Sequence, residues 1–411
     1  MEKLQSKSPA IRFPEFKNTW QHKKLSEFLK ESKKRNSDLK YGKEHVLSVS
    51  GELGIVNQIE HLGRSYAGVS VHQYHVVEVG DIVYTKSPLK ANPFGIIRLN
   101  KTKAGIVSTL YAVYNVKEQN AYGPFLDYYF SLDANTNRYL RPLVKKGAKN
   151  DMKINNAYVL HDPIYAPSIP EQKRIASFFK VLDKKIVQLR EKKTLLEEYK
   201  KGVVQQLFSQ ELKFKDEHGN NFLEWESYKL GKILKRYSNP VEVDLNESYK
   251  QIGIKSHGKG LFHKEAISGK ELGNKRVFWI AKNMLILNIV FAWERAISKT
   301  TVHEMGMIAS HRFPMYQPVE DLLDLDFIVY FFLTAKGKIL LEIASPGGAG
   351  RNKTLGQASF EKLKISIPSL KEQIKISRFL LSIDKRLDAA RLQYDELREY
   401  KNGLIQKMYC V

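Results

Sequence analysis

Several groups of residues in this chain have the types that catalysis or metal binding uses, and each lacks something the chemistry requires. His72 and His75 stand three apart among Val71, Val76, Val77 and Val79. In an extended segment residues three apart face opposite sides, so the two imidazoles cannot share a metal. Asp321, Asp324 and Asp326 lack the spacing and the glycine of a calcium loop. Glu171-Gln-Lys173 has the Glu-x-Lys pattern of nucleases, but a related stretch later in the chain reads Glu372-Gln-Ile374. Gly347 to Thr354 resembles a phosphate loop, yet no glycine directly precedes Lys353. An adenine methyltransferase grips its flipped base with Asn/Asp-Pro-Pro-aromatic; Asn92-Pro-Phe-Gly95 lacks the second proline and reads as a turn. Gly-x-Ser-x-Gly is absent. These residues predict no active site and no metal site.

Binding chemistry is better represented. Two polar, basic, glycine-containing loops, Lys145-Lys-Gly-Ala-Lys-Asn-Asp-Met-Lys153 and Pro346-Gly-Gly-Ala-Gly-Arg-Asn-Lys353, each precede a long apolar-periodic segment. Lys, Arg and Asn on loops over a rigid base can reach phosphates and base edges. The candidate DNA contacts are Lys145, Lys146, Lys149, Asn150 and Lys153 in one loop and Arg351, Asn352 and Lys353 in the other, with Lys86, His311 and Arg312. The competing reading is an ordinary solvated loop, and the matching positions of the two loops favour function.

The whole chain agrees in sign. Its 411 residues hold 67 Lys+Arg against 44 Asp+Glu, a formal charge of +23. Such an excess draws in polyanions, which makes nucleic acid the first partner to consider and a membrane surface the second. The most apolar stretches, Met284 to Trp293 and Phe327 to Leu333, are far shorter than the roughly 18 residues that span a bilayer. Lys3, Lys7, Arg12 and Glu15 interrupt the first residues, so no signal peptide is expected. The single cysteine, Cys410, excludes a disulfide framework and a cysteine-rich zinc site. No membrane association and a cytoplasmic location are expected.

The loops sit on a repeated framework. Laid over Ser369 to Tyr409, Ser168 to Phe208 matches at Ser168, Glu171, Gln172, Ile175, Phe178, Asp183, Lys184, Arg190, Glu198, Tyr199, Lys200, Gly202 and Gln205, among others, at an offset of 201 (369 − 168). Trp20-Gln-His-Lys-Lys-Leu25 and Trp225-Glu-Ser-Tyr-Lys-Leu230 each open a half, and Gly105-Ile-Val-Ser108 and Gly306-Met-Ile-Ala309 keep the same offset of 201 (306 − 105). Two copies predict an internally symmetric, two-lobed molecule.

The repeated segments are predicted as long helices. Ile175, Phe179, Leu182, Ile186, Leu189, Leu196, Val203 and Leu207 follow steps of three and four, with Lys193 and Lys200 filling the gaps, which is a coiled-coil seam. The second copy runs Ile376, Leu380, Ile383, Leu387, Ala390, Tyr394, Leu397, Lys401, Leu404, Met408. Ser168 with Glu171, and Ser369 with Glu372, predict a capping box at each start. Over Glu171 to Phe208 such a helix is roughly 57 Å long. Pairing within the chain, antiparallel because the connections are short, is preferred to a homodimer zipper. Gly202 and Gly403, each just after a Tyr-Lys pair, cost about 1 kcal/mol in a helix interior. Tyr199, Gly202, Tyr400 and Gly403 are therefore candidates for close helix packing or for docking another protein, against the plainer reading of tolerated glycines.

Between the repeats, short strands (Val76 to Val79, Asp81 to Tyr84, Ile106 to Tyr114; Lys282 to Phe291, Met307 to Tyr316) and short helices (Leu126 to Ser131; Leu325 to Thr334) make each half α+β. The expected organisation is a first recognition domain at 1–167, a spacer helix at 168–209, a second recognition domain at 210–367 and a spacer helix at 368–411. The fold class is α+β: two globular domains separated by two long antiparallel coiled-coil helices with pseudo-two-fold symmetry.

The order of globular domain, Ser168-Ile-Pro-Glu-Gln-Lys-Arg-Ile-Ala helix, globular domain, Ser369-Leu-Lys-Glu-Gln-Ile-Lys-Ile-Ser helix resembles the specificity subunit of type I restriction-modification systems over nearly the whole chain. Phe13-Pro-Glu-Phe16 before Trp20, and Ala309-Ser-His-Arg-Phe-Pro-Met-Tyr316, look like segments of that family. The resemblance implies a non-catalytic subunit that binds double-stranded DNA and joins two DNA-methyltransferase subunits, with restriction/translocase subunits in the full complex. Each domain would read one half of a split site, with the helices fixing the gap. S-adenosylmethionine, ATP and Mg are implied on the partner subunits and none on this chain. Two dissimilar lobes predict an asymmetric target even without the family. Two alternatives remain at this point: a self-sufficient methyltransferase or nuclease, against which the missing motifs count, and a coiled-coil scaffold or RNA-binding protein. Lys371 stands where the first copy has Pro170.

Overall fold

The computed structural model describes residues 6–68, 70–88, 91–146, 152–347 and 353–410. The chain divides into two compact units, one of residues 1–190 with 391–411, the other of residues 191–390. Each unit thus holds one globular half, the first part of the helix that follows it, and the last part of the other long helix.

In the first unit, β1 (Trp20–Lys24), β2 (Leu29–Glu31), β3 (Ile82–Thr85), β4 (Ile96–Leu99) and β5 (Tyr111–Val116) precede two short helices, α1 (Gly123–Ser131) and α2 (Asp133–Leu140). A two-residue ribbon, β6 (Lys145–Lys146) with β7 (Met152–Lys153), leads to β8 (Pro163–Ala166) and the long helix α3 (Ile169–Phe208). The sheet order is β2-β5-β3-β4, all antiparallel, while β8 pairs with β1.

The second unit repeats this plan. It contains β9 (Glu226–Lys229), β10 (Leu234–Tyr237), a hairpin of β11 (Ile252–Ile254) and β12 (Leu261–His263), then β13 (Leu285–Leu287), β14 (Ile297–Lys299) and β15 (Met315–Pro318). Helices α4 (Leu325–Leu333) and α5 (Ala335–Ile343), strand β16 (Lys364–Ile367) and the long helix α6 (Leu370–Met408) follow. The sheet order is β10-β15-β13-β14, and β16 pairs with β9.

The predicted seam is what the long helices bury. Every position from Ile175 to Leu207 and from Ile376 to Met408 on that three-four pattern is buried or half-buried. The helices are 40 and 39 residues long, roughly 60 Å each. Within the first unit Asp183 of α3 accepts from Lys401 of α6 at 2.5 Å and from the Tyr128 hydroxyl of α1 at 2.6 Å. Within the second, Asp384 of α6 accepts from Lys200 of α3 at 2.5 Å and from the Tyr330 hydroxyl of α4 at 2.5 Å. Within the first unit Phe179 of α3 meets Tyr409 of α6, their ring centroids 6.3 Å apart, and Asp183 meets Lys401, so α6 runs backwards as α3 advances and the pairing is antiparallel. Each lysine also lies over its tyrosine ring, at 5.2 and 5.3 Å. These partly exposed pairs stabilise by about 1 kcal/mol each, so their contribution is chiefly register.

The helix ends are core residues. Tyr409 is buried in the first unit, its ring centroid 4.8 Å from Phe125 and 6.1 Å from Trp20. Phe208 takes the same place in the second, 5.2 Å from Phe327 and 6.3 Å from Trp225.

Several expectations need correction. Glu171 forms no capping box: its carboxylate takes two 2.7 Å bonds from Arg12 and one of 3.2 Å from the Trp20 indole. Buried at the helix start, it is drawn to a guanidinium and a tryptophan that only tertiary folding supplies. At Glu372 the Trp225 indole favours the carboxylate, one carboxylate oxygen is buried without a hydrogen-bond partner, and only the Ser369 half of the cap is present, Oγ accepting from the Glu372 N–H at 3.5 Å. The adjacent glutamines pin the loop before each short helix. Gln172 accepts from the Tyr122 N–H at 2.8 Å and Gln373 from the Asp324 N–H at 2.9 Å. The strands predicted for Ile106 to Tyr114 and Met307 to Tyr316 each break at a turn, into Gly105–Val107 and β5, and into Ile308–Ser310 and β15. The offset of 201 read for Gly105 and Gly306 is 202 in the sheets, because Ile106 and Ile308 make the equivalent parallel bridges, to Val46 and Gln251. A slip of one residue would have turned these wholly buried side chains to the other face.

Candidate nucleic-acid interface

In the second unit the chain leaves β13 and turns through Asn288 to Arg295, and three distant segments meet there. The Ile289 N–H donates to the Arg312 carbonyl at 3.0 Å, and the Leu355 N–H donates to the Ile289 carbonyl at 2.8 Å. This brings the exposed His311 and Arg312 to the same edge as Lys353. The Lys353 ammonium lies 5.4 Å from the centroid of Trp293, whose indole donates to the Val290 carbonyl at 3.1 Å. A cation held over an aromatic face keeps its donors aimed outward at modest entropic cost.

A fourth segment was missed by the sequence reading. The tip of the β11–β12 hairpin is tied to the same turn by the His257 N–H on the Glu294 carbonyl, at 2.8 Å, and the Gly258 N–H on the Arg295 carbonyl, at 3.0 Å. The Ser256 hydroxyl adds a 2.8 Å bond to the Glu294 carboxylate. Lys255, His257 and Lys259 are exposed on it. The signal was available: Lys255-Ser-His-Gly-Lys-Gly260 is a basic turn between apolar residues, and His257, Gly258 and Gly260 do adopt positive φ of 62°, 66° and 78°.

The first unit has the corresponding strands and turns with other residues. Lys86 directly follows β3, its N–H bonded to the Leu110 carbonyl at 3.4 Å in the turn before β5. Lys145, Lys146 and Lys153 lie on the β6–β7 ribbon, Lys145 opposite Lys153. Lys149, Asn150, Arg351 and Asn352 lie outside the described residues. The hairpin of Leu47–Ser50 and Gly54–Asn57 carries Glu52 at its tip, where the second unit has lysines. The two units share a sheet scaffold and differ in the charge at this hairpin tip.

His72 sits in a turn and His75 is buried on the strand His75–Val77, so they form no pair. Burial, then Arg35 and Lys86, push the His75 imidazole down to about 4, which leaves it neutral at pH 7. Among the described residues no group of His, Cys, Asp and Glu could hold a metal, and no helix is long and apolar enough to cross a membrane.

On the long helices Tyr199 and Tyr400 are 53% and 58% exposed. A Cβ at Gly202 or Gly403 would meet nothing within 4 Å. Close helix approach is therefore not what these glycines serve; the pair of Tyr-x-x-Gly surfaces stands open to solvent.

Each α+β unit carries basic loops on one sheet scaffold and packs on segments of both long helices. Residues 223–397 match the profile of the type I restriction modification DNA specificity domain. A putative type I restriction enzyme MjaX specificity subunit of Methanocaldococcus jannaschii is 22% identical over 322 residues, 75% of this chain and 68% of that protein. The fold is also that of the S subunit of a type I restriction-modification system from M. genitalium (TM-score 0.57, 13% identity, covering 98% of this chain and 100% of that one). A second chain, from work on complex assembly and conformational transition of the type I R-M system, has TM-score 0.54 at 13% identity, with 95% and 97% covered. Over residues 223–397 the chain thus matches the type I restriction modification DNA specificity domain, and over most of its length it is similar to specificity subunits of type I restriction-modification systems.

Proposed function

We propose that this chain reads a split, asymmetric DNA target with one domain per half-site, residues 1–167 and 210–367, while the helices at 168–209 and 368–411 set the spacer and dock two methyltransferase subunits. The observation that carries this is the repeated sheet scaffold, used twice with different basic residues at its turns: Lys86 and the ribbon of Lys145, Lys146 and Lys153 in one unit and His311, Arg312 and Lys353 in the other. Cations on the loops supply phosphate affinity, and differing loop residues supply differing base readout. In this reading the chain binds no cofactor; S-adenosylmethionine, ATP and Mg belong to the methyltransferase and restriction subunits, in the cytoplasm. Long-read mapping of methylated adenines in cells expressing the chain with its methyltransferase tests it. A two-part motif with unequal halves and a constant gap is the expected result. A continuous or palindromic motif, or none, overturns it.

A further inference from the structure

Within the second unit a groove of about 900 Å³ runs between the end of α3 and the junction of α4 with α5. Its floor is apolar, with Val204, Phe208, Phe331 and Leu333, and its rim is basic, with Lys201, Arg295, Lys336 and Lys338. Lys201 and Lys336 are exposed and have no ion-pair partner among the described residues. Arg295 donates to the Leu333 carbonyl at 3.0 Å, while its Nε is buried without a partner. An apolar ridge continues from the groove along α5: Ala335 lines it, and Ile339 and Ile343, one and two turns on, are 55% and 63% exposed.

The internal repeat provides a control. Tyr128 and Tyr330 make the same bond to Asp183 and Asp384, and α2 and α5 begin at Asp133 and Ala335, so the short helices correspond at an offset of 202 (330 − 128). The ridge Ala335, Ile339, Ile343 then corresponds to Asp133, Asn137 and Arg141, and Lys336 and Lys338 to Ala134 and Thr136. Along the long helices, Lys201 corresponds to Asn402. The framework is kept in both halves, but the cations and the apolar ridge occur in the second alone. A surface needed only for folding, or for a partner bound identically by both halves, would show its residues twice.

We propose that this groove and ridge dock one acidic amphipathic helix of a partner protein, bound once per chain. The apolar floor favours a helix over a nucleic-acid backbone, which would use the cations and leave Phe208, Phe331, Ile339 and Ile343 against water. From Glu197 to Phe208 the lined face of α3 is roughly 16 Å long, room for three helical turns. Leucines on one face of the helix would meet the floor and ridge, and glutamates the rim, as amphipathic helices seat in apolar grooves elsewhere.

The test uses the full chain and a fluorescein-labelled synthetic helix with leucines on one face and glutamates on the other, read by fluorescence anisotropy. Binding is expected, weakened about tenfold or more by the double variant Lys201→Glu, Lys336→Glu and by replacing the peptide's glutamates with glutamine. Ile339→Ser with Ile343→Ser should weaken it without changing its salt dependence. Duplex DNA binding by the same variants reports separately whether they remain folded and whether the recognition reading holds. No binding, equal binding by the charge-reversed variant, or displacement of the peptide by a DNA duplex overturns the proposal, the last assigning the groove to nucleic acid.

Discussion

Glu171 and Glu372 hold the same place at the start of the two long helices, yet only the first has a guanidinium beside it. Glu171→Gln removes the ion pair and leaves Arg12, which is 14% exposed, without its anion. We expect a loss of about 3 kcal/mol in urea denaturation. At Glu372 burial is the main influence and holds the carboxyl above its ordinary range, with the Trp225 indole opposing it. Glu372→Gln removes a buried ionisable group and keeps an acceptor for the indole, so its cost at pH 7 should stay within about 1 kcal/mol. Asp127 of α1 gives a pH signature. Burial resists its ionisation, but Arg98 at 2.8 Å and Lys101 at 2.5 Å hold it down to about 2, below the ordinary 3.8. A depressed carboxyl contributes stability that is complete above its unfolded value and disappears as pH falls through the folded one. Asp127→Asn should therefore flatten the dependence of the melting temperature on pH between about 4 and 2. None of these environments is legible in the sequence: Arg12 lies 159 residues from Glu171, and a local pattern such as Ser-x-x-Glu names the nearest partner, not the best one.

At the scale of elements the long helices were the most legible feature, because a three-four apolar spacing has one geometric solution and the internal copy repeats it. The short elements were less so. The second helix of each pair, α2 and α5, was not foreseen: Asp133-Ala-Asn-Thr-Asn-Arg138 is polar and has low helix propensity, and α5 is held by its packing on α4. Of the loop candidates, Lys145, Lys146 and Lys153 fall on the two-residue strands β6 and β7, and the convergence of His311, Arg312 and Lys353 on the Asn288–Arg295 turn depends on strand order, which spacing does not reveal. The open environment of Gly202 and Gly403 leads to a prediction. Alanine at either position fits freely, so Gly202→Ala and Gly403→Ala should each raise the stability of the isolated chain by about 1 kcal/mol, read as an upward shift in melting temperature. Tyr199→Ala and Tyr400→Ala should leave that temperature nearly unchanged and weaken co-purification with the methyltransferase subunit; unchanged co-purification would remove the docking role.

For the whole molecule, a charge of +23 and loops ending in lysine and arginine predict DNA affinity that falls steeply with salt. Lys353→Ala should reduce the slope of log affinity against log salt by about one and relax one half-site only. Adding one helical turn to α3 or α6 should change the tolerated gap in the methylated motif; an unchanged gap would remove the spacer role. The C-terminal end of α6 has a further consequence. Ile405, Met408 and Tyr409 lie in the same core as Trp20 and Phe125. Each such side chain adds about 1.5–3 kcal/mol when buried. The head that leaves the ribosome first is therefore the one completed last: its hydrophobic centre stays open through synthesis of all the intervening residues, a long exposure to misassembly or to chaperone capture. A premature stop after Ala390 would spare the later-made head and leave the earlier one unfinished.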